Sequence, residues 1–272
     1  MKNKLTLLSI ITTVLFLSAF QLMAQDTPPL TPPVPEQAGE DFLIDDRKPT
    51  FVIVHGAWGG SWAFRDVEQL LRKKRYDVYR PSLTGLGERH HLAHPDINLT
   101  THIQDVVNAI LFEELQDIVL VGHSYGGMVI SGVAHQIPER IHSMIYIDAF
   151  VPNDGESVES IQGDDFQHML NMEQNGLIVP AWVSADQPFP RDVGHPLNTL
   201  TEPVQLGNEE AHAIPAVYIH AVEPGMASEE DNFYLHSQRA KERGWAVLVI
   251  ESDHNPQWST PEKLVEMMHQ NW

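Results

Sequence analysis

The 272-residue chain contains no cysteine, which excludes disulfides, thiolate metal sites and a lipid-modified cysteine. Positive charge is also scarce: 17 Lys and Arg stand against 37 Asp and Glu, a formal net charge of -20. That balance repels nucleic acid and anionic membrane surfaces, and it disfavours a highly anionic substrate. Long apolar runs are nearly absent. The exception, Leu5 to Phe20, is short for a bilayer span. Lys2 and Lys4 precede it and Leu22-Met23-Ala24 follows, so residues 1–24 read as a secretory signal peptide cleaved before Gln25. The expected destination is secreted or periplasmic, with no stable membrane anchor after cleavage.

The remaining composition, 42% hydrophobic and 20% charged, is that of a soluble globular protein. Residues 25–41 carry Pro28, Pro29, Pro32, Pro33 and Pro35 and read as a disordered spacer, leaving 42–272 as the folded domain. Within it, apolar runs alternate with helical periodicity. Thr50 to His55 is a strand, Ser61 or Trp62 starts a helix running to Lys73, and Asp77 to Arg80 is a short strand. Thr101-x-x-Gln104 reads as a capping box opening a helix with Ile103, Val106, Val107 and Ile110 on one face. Met144 to Ile147, Ala216 to Ala221 and Trp245 to Glu251 are further strands, Glu230 to Arg243 is a helix, and Thr260 caps a last helix. Strands alternating with helices imply an α/β fold with a mostly parallel, doubly wound sheet. From Pro152 to Ile214 the alternation stops, and this stretch is expected to form a helical lid inserted between the strands at 144–150 and 216–221.

The chemistry centres on Asp117 to Gln136, DIVLVGHSYGGMVISGVAHQ. A buried strand meets Gly122-His123-Ser124-Tyr125-Gly126 and passes into a helix, the G-x-S-x-G nucleophile elbow. A sharp strand-to-helix turn leaves no room for side chains two positions either side of its apex, which accounts for Gly122 and Gly126. Ser124 then sits at the positive end of the helix, where the Tyr125 N–H can hold an oxyanion. His55-Gly56 after an early strand suggests Ala57 N–H as the second oxyanion donor. A serine hydroxyl needs a base, and of 15 histidines only His254 follows a strong strand near the C-terminus. The acid must lie at a strand's C-terminal end. Asp148 and Glu223 both qualify, with Asp148 preferred for its residue type and clean strand end. Trp58, Trp182 and Phe189 are candidates for the substrate pocket. His90, His91 and His94 read as solvated loop residues, so no metal is assigned, and no cofactor is required.

These segments resemble the α/β-hydrolase superfamily, in the branch of bacterial salicylate-ester and pyrethroid-type carboxylesterases related to plant methyl esterases and hydroxynitrile lyases. The resemblance is carried by FVIVHGAWGGSW (Phe51 to Trp62), RPSLTGLGERHHLAHPDINLTTHIQDVV (Arg80 to Val107), IVLVGHSYGGMV (Ile118 to Val129) and IYIDAFVPNDGES (Ile145 to Ser157). It implies Ser124 as nucleophile, His254 as base and the Ala57 and Tyr125 amides as oxyanion hole. Plant relatives keep an aspartate after the strand matching Ala216 to Ala221, where this chain has Glu223-Pro224, so the acid stays open between Asp148 and Glu223. Hydroxynitrile lyases place a lysine after the catalytic histidine, whereas Asn255 stands here, which argues against cyanohydrin chemistry. The expected activity is hydrolysis of small-molecule carboxylic esters with an apolar or aromatic part through an acyl-serine intermediate. The alternatives are the same triad acting on a C–C, amide or cyanohydrin bond, and a ligand-binding protein on the hydrolase fold with little turnover.

Overall fold

The structure, a computed structural model, describes residues 48–272; the expected signal peptide and most of the spacer lie outside the described residues. Six strands form one sheet in the order β2-β1-β3-β4-β8-β9: β1 (Thr50–Val54), β2 (Val78–Tyr79), β3 (Ile118–His123), β4 (Ile141–Ile147), β8 (Ala216–Val222) and β9 (Ala246–Glu251). Every pairing in it is parallel. All six residues of β3 are buried, as a strand covered on both faces requires.

Side-chain alternation splits the core in two. Val52, Val54, Leu120, Met144 and Tyr146 pack against α2 (Leu99–Phe112) and α3 (Gly126–Gln136). Phe51, Ile53, Val119, Val121 and Ile145 face α1 (Arg65–Lys73) and α9 (Pro261–Gln270) on the other side. The strand order reverses between β1 and β3, and Ser124 lies just past the C-terminal end of β3, where ligands bind in open α/β sheets.

The insertion contains α4 (Val158–Gln162), α5 (Phe166–Leu170) and α6 (Asn198–Thr201), but it is not purely helical. It also holds a three-stranded antiparallel sheet of β5 (Glu173–Gln174), β6 (Leu177–Ile178) and β7 (His195–Pro196). The β5-β6 turn is Asn175-Gly176, with φ of 53° and 79°, the left-handed pair that a two-residue hairpin demands. After the insertion come α7 (Tyr234–Glu242) and α8 (Pro256–Ser259).

Two helix starts and one helix cap differ from the sequence expectation, and β4 begins three residues earlier than Met144. Helix α2 starts at Leu99 because Asn98, not Thr101, is the cap; its side chain accepts from the Thr101 N–H at 2.9 Å. Helix α7 starts at Tyr234 because Asp231 is engaged in the preceding turn, accepting from the Phe233 N–H at 2.7 Å. Thr260 stands at the N-cap of α9, yet its buried hydroxyl caps nothing.

The elbow depends on missing side chains. A Cβ at Gly126 would stand 2.7 Å from the Val54 carbonyl oxygen, and one at Gly127 only 2.1 Å from that of Phe150. Gly127→Ala improves helix propensity by about 1 kcal/mol, but it forces backbone on backbone, which costs roughly 1–3 kcal/mol or more. The expected result is a lower urea midpoint. A midpoint equal to or above that of the parent would mean that the Phe150 segment yields without cost.

Candidate active site

Ser124 occupies the apex of the elbow in the left-handed region, φ 54°, a strained conformation for a residue with a Cβ. Its N–H donates to the Ile147 carbonyl and its own carbonyl accepts from Phe150, so the ends of β3 and β4 hold the apex from both sides. Asp148, one residue past β4, is also left-handed at φ 41°. Its N–H donates to Ile219 on β8, and its Oδ1 accepts from the Ala221 N–H at 3.2 Å. These bonds turn the carboxylate inward, where it is 1% exposed.

His254 joins the two. Its Nδ1 lies 2.6 Å from Asp148 Oδ2 and its Nε2 3.0 Å from Ser124 Oγ. The carboxylate accepts from Nδ1–H, which leaves the Nε2 lone pair facing the serine hydroxyl. Burial pushes the Asp148 carboxyl up from its ordinary range, while the His254 hydrogen bond pulls it back. The imidazole is held between two rings: Phe233 stacks on it at 4.7 Å and 16°, and His123 lies at 4.8 Å. His123 also donates Nε2–H to the His254 carbonyl at 2.8 Å. Desolvation lowers His123 to about 3, so this second histidine stays neutral.

Glu223 is exposed in the turn after β8 and makes no hydrogen bond to His254. The second carboxylate near the site is Asp231 instead, which pairs with buried His220 at 3.0 Å and stands close to Asp148. Asp148, His220 and Asp231 form the one cluster with metal-ligand spacing among the described residues. Its donor atoms are already engaged with one another, with His254 and with backbone N–H groups, so the donor set reads as a hydrogen-bonded network.

Ala57 and Tyr125 flank Ser124 in one cavity, and neither backbone N–H has a protein acceptor among the described residues. Buried neutral histidines lock the segments that carry them. Trp58, at φ 61°, donates its N–H to His195 Nδ1 at 3.3 Å, its indole to the Ile178 carbonyl at 3.1 Å, and accepts from Val193 at 2.9 Å. His195 Nε2–H in turn reaches Thr199 Oγ1 at 2.6 Å, and burial holds this ring well below its ordinary pKa. The Tyr125 hydroxyl donates to His102 Nδ1 at 3.0 Å, and His102 Nε2–H to the Thr84 carbonyl at 2.9 Å. Desolvation lowers His102 to about 4.

Two lobes meet at Ser124. The larger, about 500 Å³, is mainly apolar, with Phe150, Val158, Ile161, Met169, Leu200 and Phe233 in its wall. The smaller, about 280 Å³, is lined by Trp58, Trp182, Asp192, Gln257 and Trp258. Trp58 lines both lobes and Trp182 the smaller. Phe189 lines neither: it is 66% exposed in a separate groove, beside His90 and under the Arg191 guanidinium. Its apolar ring suggested a pocket residue, but a tip of the insertion carries it to the surface. Phe233, Gln257 and Trp258, by contrast, reach the site only through the packing of α7 and α8 onto the sheet, and no local pattern marks them.

A serine on a strand-to-helix elbow, a histidine after the last strand and an acid at a neighbouring strand end define an α/β hydrolase. The family model described as "Alpha/beta hydrolase family" matches residues 51–267, and the chain belongs to that family. Its relatives are esterases and hydrolases. A carbendazim hydrolyzing esterase from a Nocardioides species is 52% identical over 111 residues, which is 41% of this chain and 46% of that relative. The matched stretch thus spans less than half of that relative's length. A pyrethroid hydrolase from Sphingobium wenxiniae is 32% identical over 79% of this chain and 84% of its own. Among solved structures, an extracellular alpha/beta-hydrolase from a Paenibacillus species superposes with a TM-score of 0.69 at 24% identity, over 82% of this chain and 99% of that one.

The buried rings make folding stability depend on pH. Desolvation lowers His55 and His102 to about 4 and His123 and His236 to about 3, from 6.5. Each ring is neutral when folded and binds a proton on unfolding below pH 6.5, so stability falls as pH falls from about 6.5 toward 4. Asp148 and Asp192, both raised by burial, titrate with the opposite sign and offset part of this. The urea midpoint should drop between pH 7 and pH 5, with a net uptake on unfolding of more than one proton. A midpoint that stays level across that range would mean that the rings are charged in the fold.

Proposed function

We propose that the chain hydrolyses small-molecule carboxylic esters through an acyl-Ser124 intermediate. The observation that carries this is the continuous hydrogen-bonded chain Ser124–His254–Asp148, standing beside two unclaimed amide N–H groups at the mouth of an apolar cavity. In this reading His254 Nε2 takes the Ser124 proton as Oγ attacks the ester carbonyl, and the Ala57 and Tyr125 amides hold the oxyanion. His254 then gives that proton to the departing alcohol oxygen. It next takes a proton from water as the water oxygen attacks the acyl carbon, and returns that proton to Ser124 Oγ as the acyl–oxygen bond breaks and the carboxylic acid leaves. Asp148 keeps Nδ1 protonated and balances the imidazolium; it does not itself take the proton.

The larger lobe suits an apolar or aromatic acyl part, since Phe150, Val158, Ile161, Met169, Leu200 and Phe233 give its wall alkyl and phenyl groups, with Gln162, Asp165 and Asn232 as its polar part. Relatives named for hydrolysing carbendazim and pyrethroids support a small-molecule substrate. The N-terminal segment, a basic start followed by Leu5 to Phe20, supports export before the enzyme acts.

With p-nitrophenyl esters as substrates, Ser124→Ala should lower kcat by about four or more orders of magnitude and Asp148→Asn by about three to four, since the amide favours the wrong tautomer. Glu223→Gln should remain within about twofold of the parent, because its side chain is exposed outside the network. Equal activity of Asp148→Asn and the parent would remove Asp148 from the mechanism. A Glu223→Gln variant as impaired as Ser124→Ala would move the acid there.

A further inference from the structure

We propose that the smaller lobe is a subsite for a cationic nitrogen on the alcohol portion of the ester. This rests on the esterase reading and specifies the substrate class of the same site.

Away from the Ser124 end, the lobe's wall is dominated by electron-rich groups. Trp58 and Trp182 meet edge to face, 5.6 Å between centroids, and Trp258 closes another side, itself stacked on Trp62 at 5.5 Å. Trp182 and Trp258 are 54% and 46% exposed, so their ring faces are not consumed by core packing. Aromatic faces carry the negative part of the ring quadrupole and attract ammonium groups, most strongly in tryptophan. Asp192 lies among them. Burial pushes its carboxyl up, against the opposing pull of the Trp182 indole N–H, so a cation beside it would favour the ionised form.

Gln257 supplies an independent sign. It is 1% exposed and lines the lobe; its Nε2 donates to Asn255 Oδ1 at 3.0 Å, while its Oε1 is buried with no partner. A buried acceptor without a donor is costly and calls for a hydrogen-bonding or positive group nearby. No fixed positive charge competes inside. His55 and His123, on the inner wall, are held neutral by desolvation, to about 4 and about 3. Arg191 lies outside the lobe, in the wall of the outer groove and of the separate Phe189 groove, with Nη1 bonded to the Ser184 and Gln187 carbonyls and its guanidinium over Phe189. The remaining titratable group in the lobe is His254, the base itself.

The lobe's place in the molecule assigns it to the alcohol. Through Trp182, Asp192 and Trp258 it continues into the outer groove beside Gln187 and Pro188, an exit that does not cross the apolar lobe. The alcohol leaves first while the acyl group stays on the serine, so the lobe with its own way out suits the leaving group. The chain's net charge of -20 draws a cation toward it.

The test compares butyrylcholine with 3,3-dimethylbutyl butyrate, which share acyl group and shape and differ in one quaternary nitrogen against one carbon. At low ionic strength and pH 8 the parent should show a kcat/KM about tenfold or more higher for the choline ester. Asp192→Asn and Trp258→Ala should each bring that ratio close to one. A parent ratio at or below one, or a ratio unchanged in both variants, would overturn the subsite. If the parent turns over neither ester nor p-nitrophenyl butyrate, the esterase reading fails separately. The subsite is then decided by tryptophan fluorescence with tetramethylammonium. Saturable quenching, weakened about tenfold or more in Asp192→Asn, supports it, and no saturable change overturns it.

Discussion

Around the turn from β3 into α3, against α3 itself, the end of β1 and the Phe150 backbone, there is no space for a side chain, and the rest of the site follows from that constraint. Gly122, Gly126 and Gly127 each face backbone at distances a Cβ could not tolerate. Their absence of side chains lets the helix start directly above the strand, and the chain can reverse there only with Ser124 in the left-handed region. The strain at that residue, of order 1–3 kcal/mol, is held by bonds from the neighbouring strand end and by the six buried residues of β3. A rigid apex of this kind places one hydroxyl at the N-terminal end of a helix with little freedom to drift, which is what a nucleophile beside a fixed base needs.

Neutral histidines do much of the remaining positioning. His123 holds the backbone of His254, His195 holds Trp58 next to Ala57, and His102 holds the hydroxyl of Tyr125. Each ring offers one donor and one acceptor at a fixed separation, so a buried neutral imidazole can link two backbone or side-chain groups without introducing charge. Desolvation keeps all three from protonating. The insertion therefore does more than roof the pocket: through His195 and Ile178 it fixes the loop that presents one of the two proposed oxyanion donors.

Legibility in the sequence followed the range of the interactions. The strands of the main sheet, the elbow and a histidine after the last strand rest on local pattern, and the structure has them within a few residues of the expected bounds, whereas the short strands of the insertion carry no such pattern. The acid was open between two strand ends because the choice depends on register: β4 beside β8 brings the Ala221 N–H to Asp148 and leaves Glu223 outside. The Asn175-Gly176 pair is a local hairpin signal, but the strands it joins are only two residues each, too short to show an alternation. The Thr101-x-x-Gln104 pattern points to a cap at Thr101, whereas the Asn98 side chain caps the helix without a box of its own. Of the pocket candidates, Trp58 and Trp182 line the site and Phe189 does not. Gln257, Trp258 and Phe233 come from segments far apart in the chain, which single-sequence periodicity does not connect.

The account's central claim is that Ser124 Oγ, activated by His254, is the atom that forms the covalent bond. The most direct measurement is peptide mapping by mass spectrometry after incubation with a p-nitrophenyl alkylphosphonate, whose phosphorus accepts the serine oxygen as p-nitrophenolate departs. The account predicts one adduct, on the peptide containing Ser124, formed in step with loss of esterase activity and absent from a His254→Ala variant. Esterase activity that disappears with Ser124 unlabelled, or persists with Ser124 fully labelled, would contradict it.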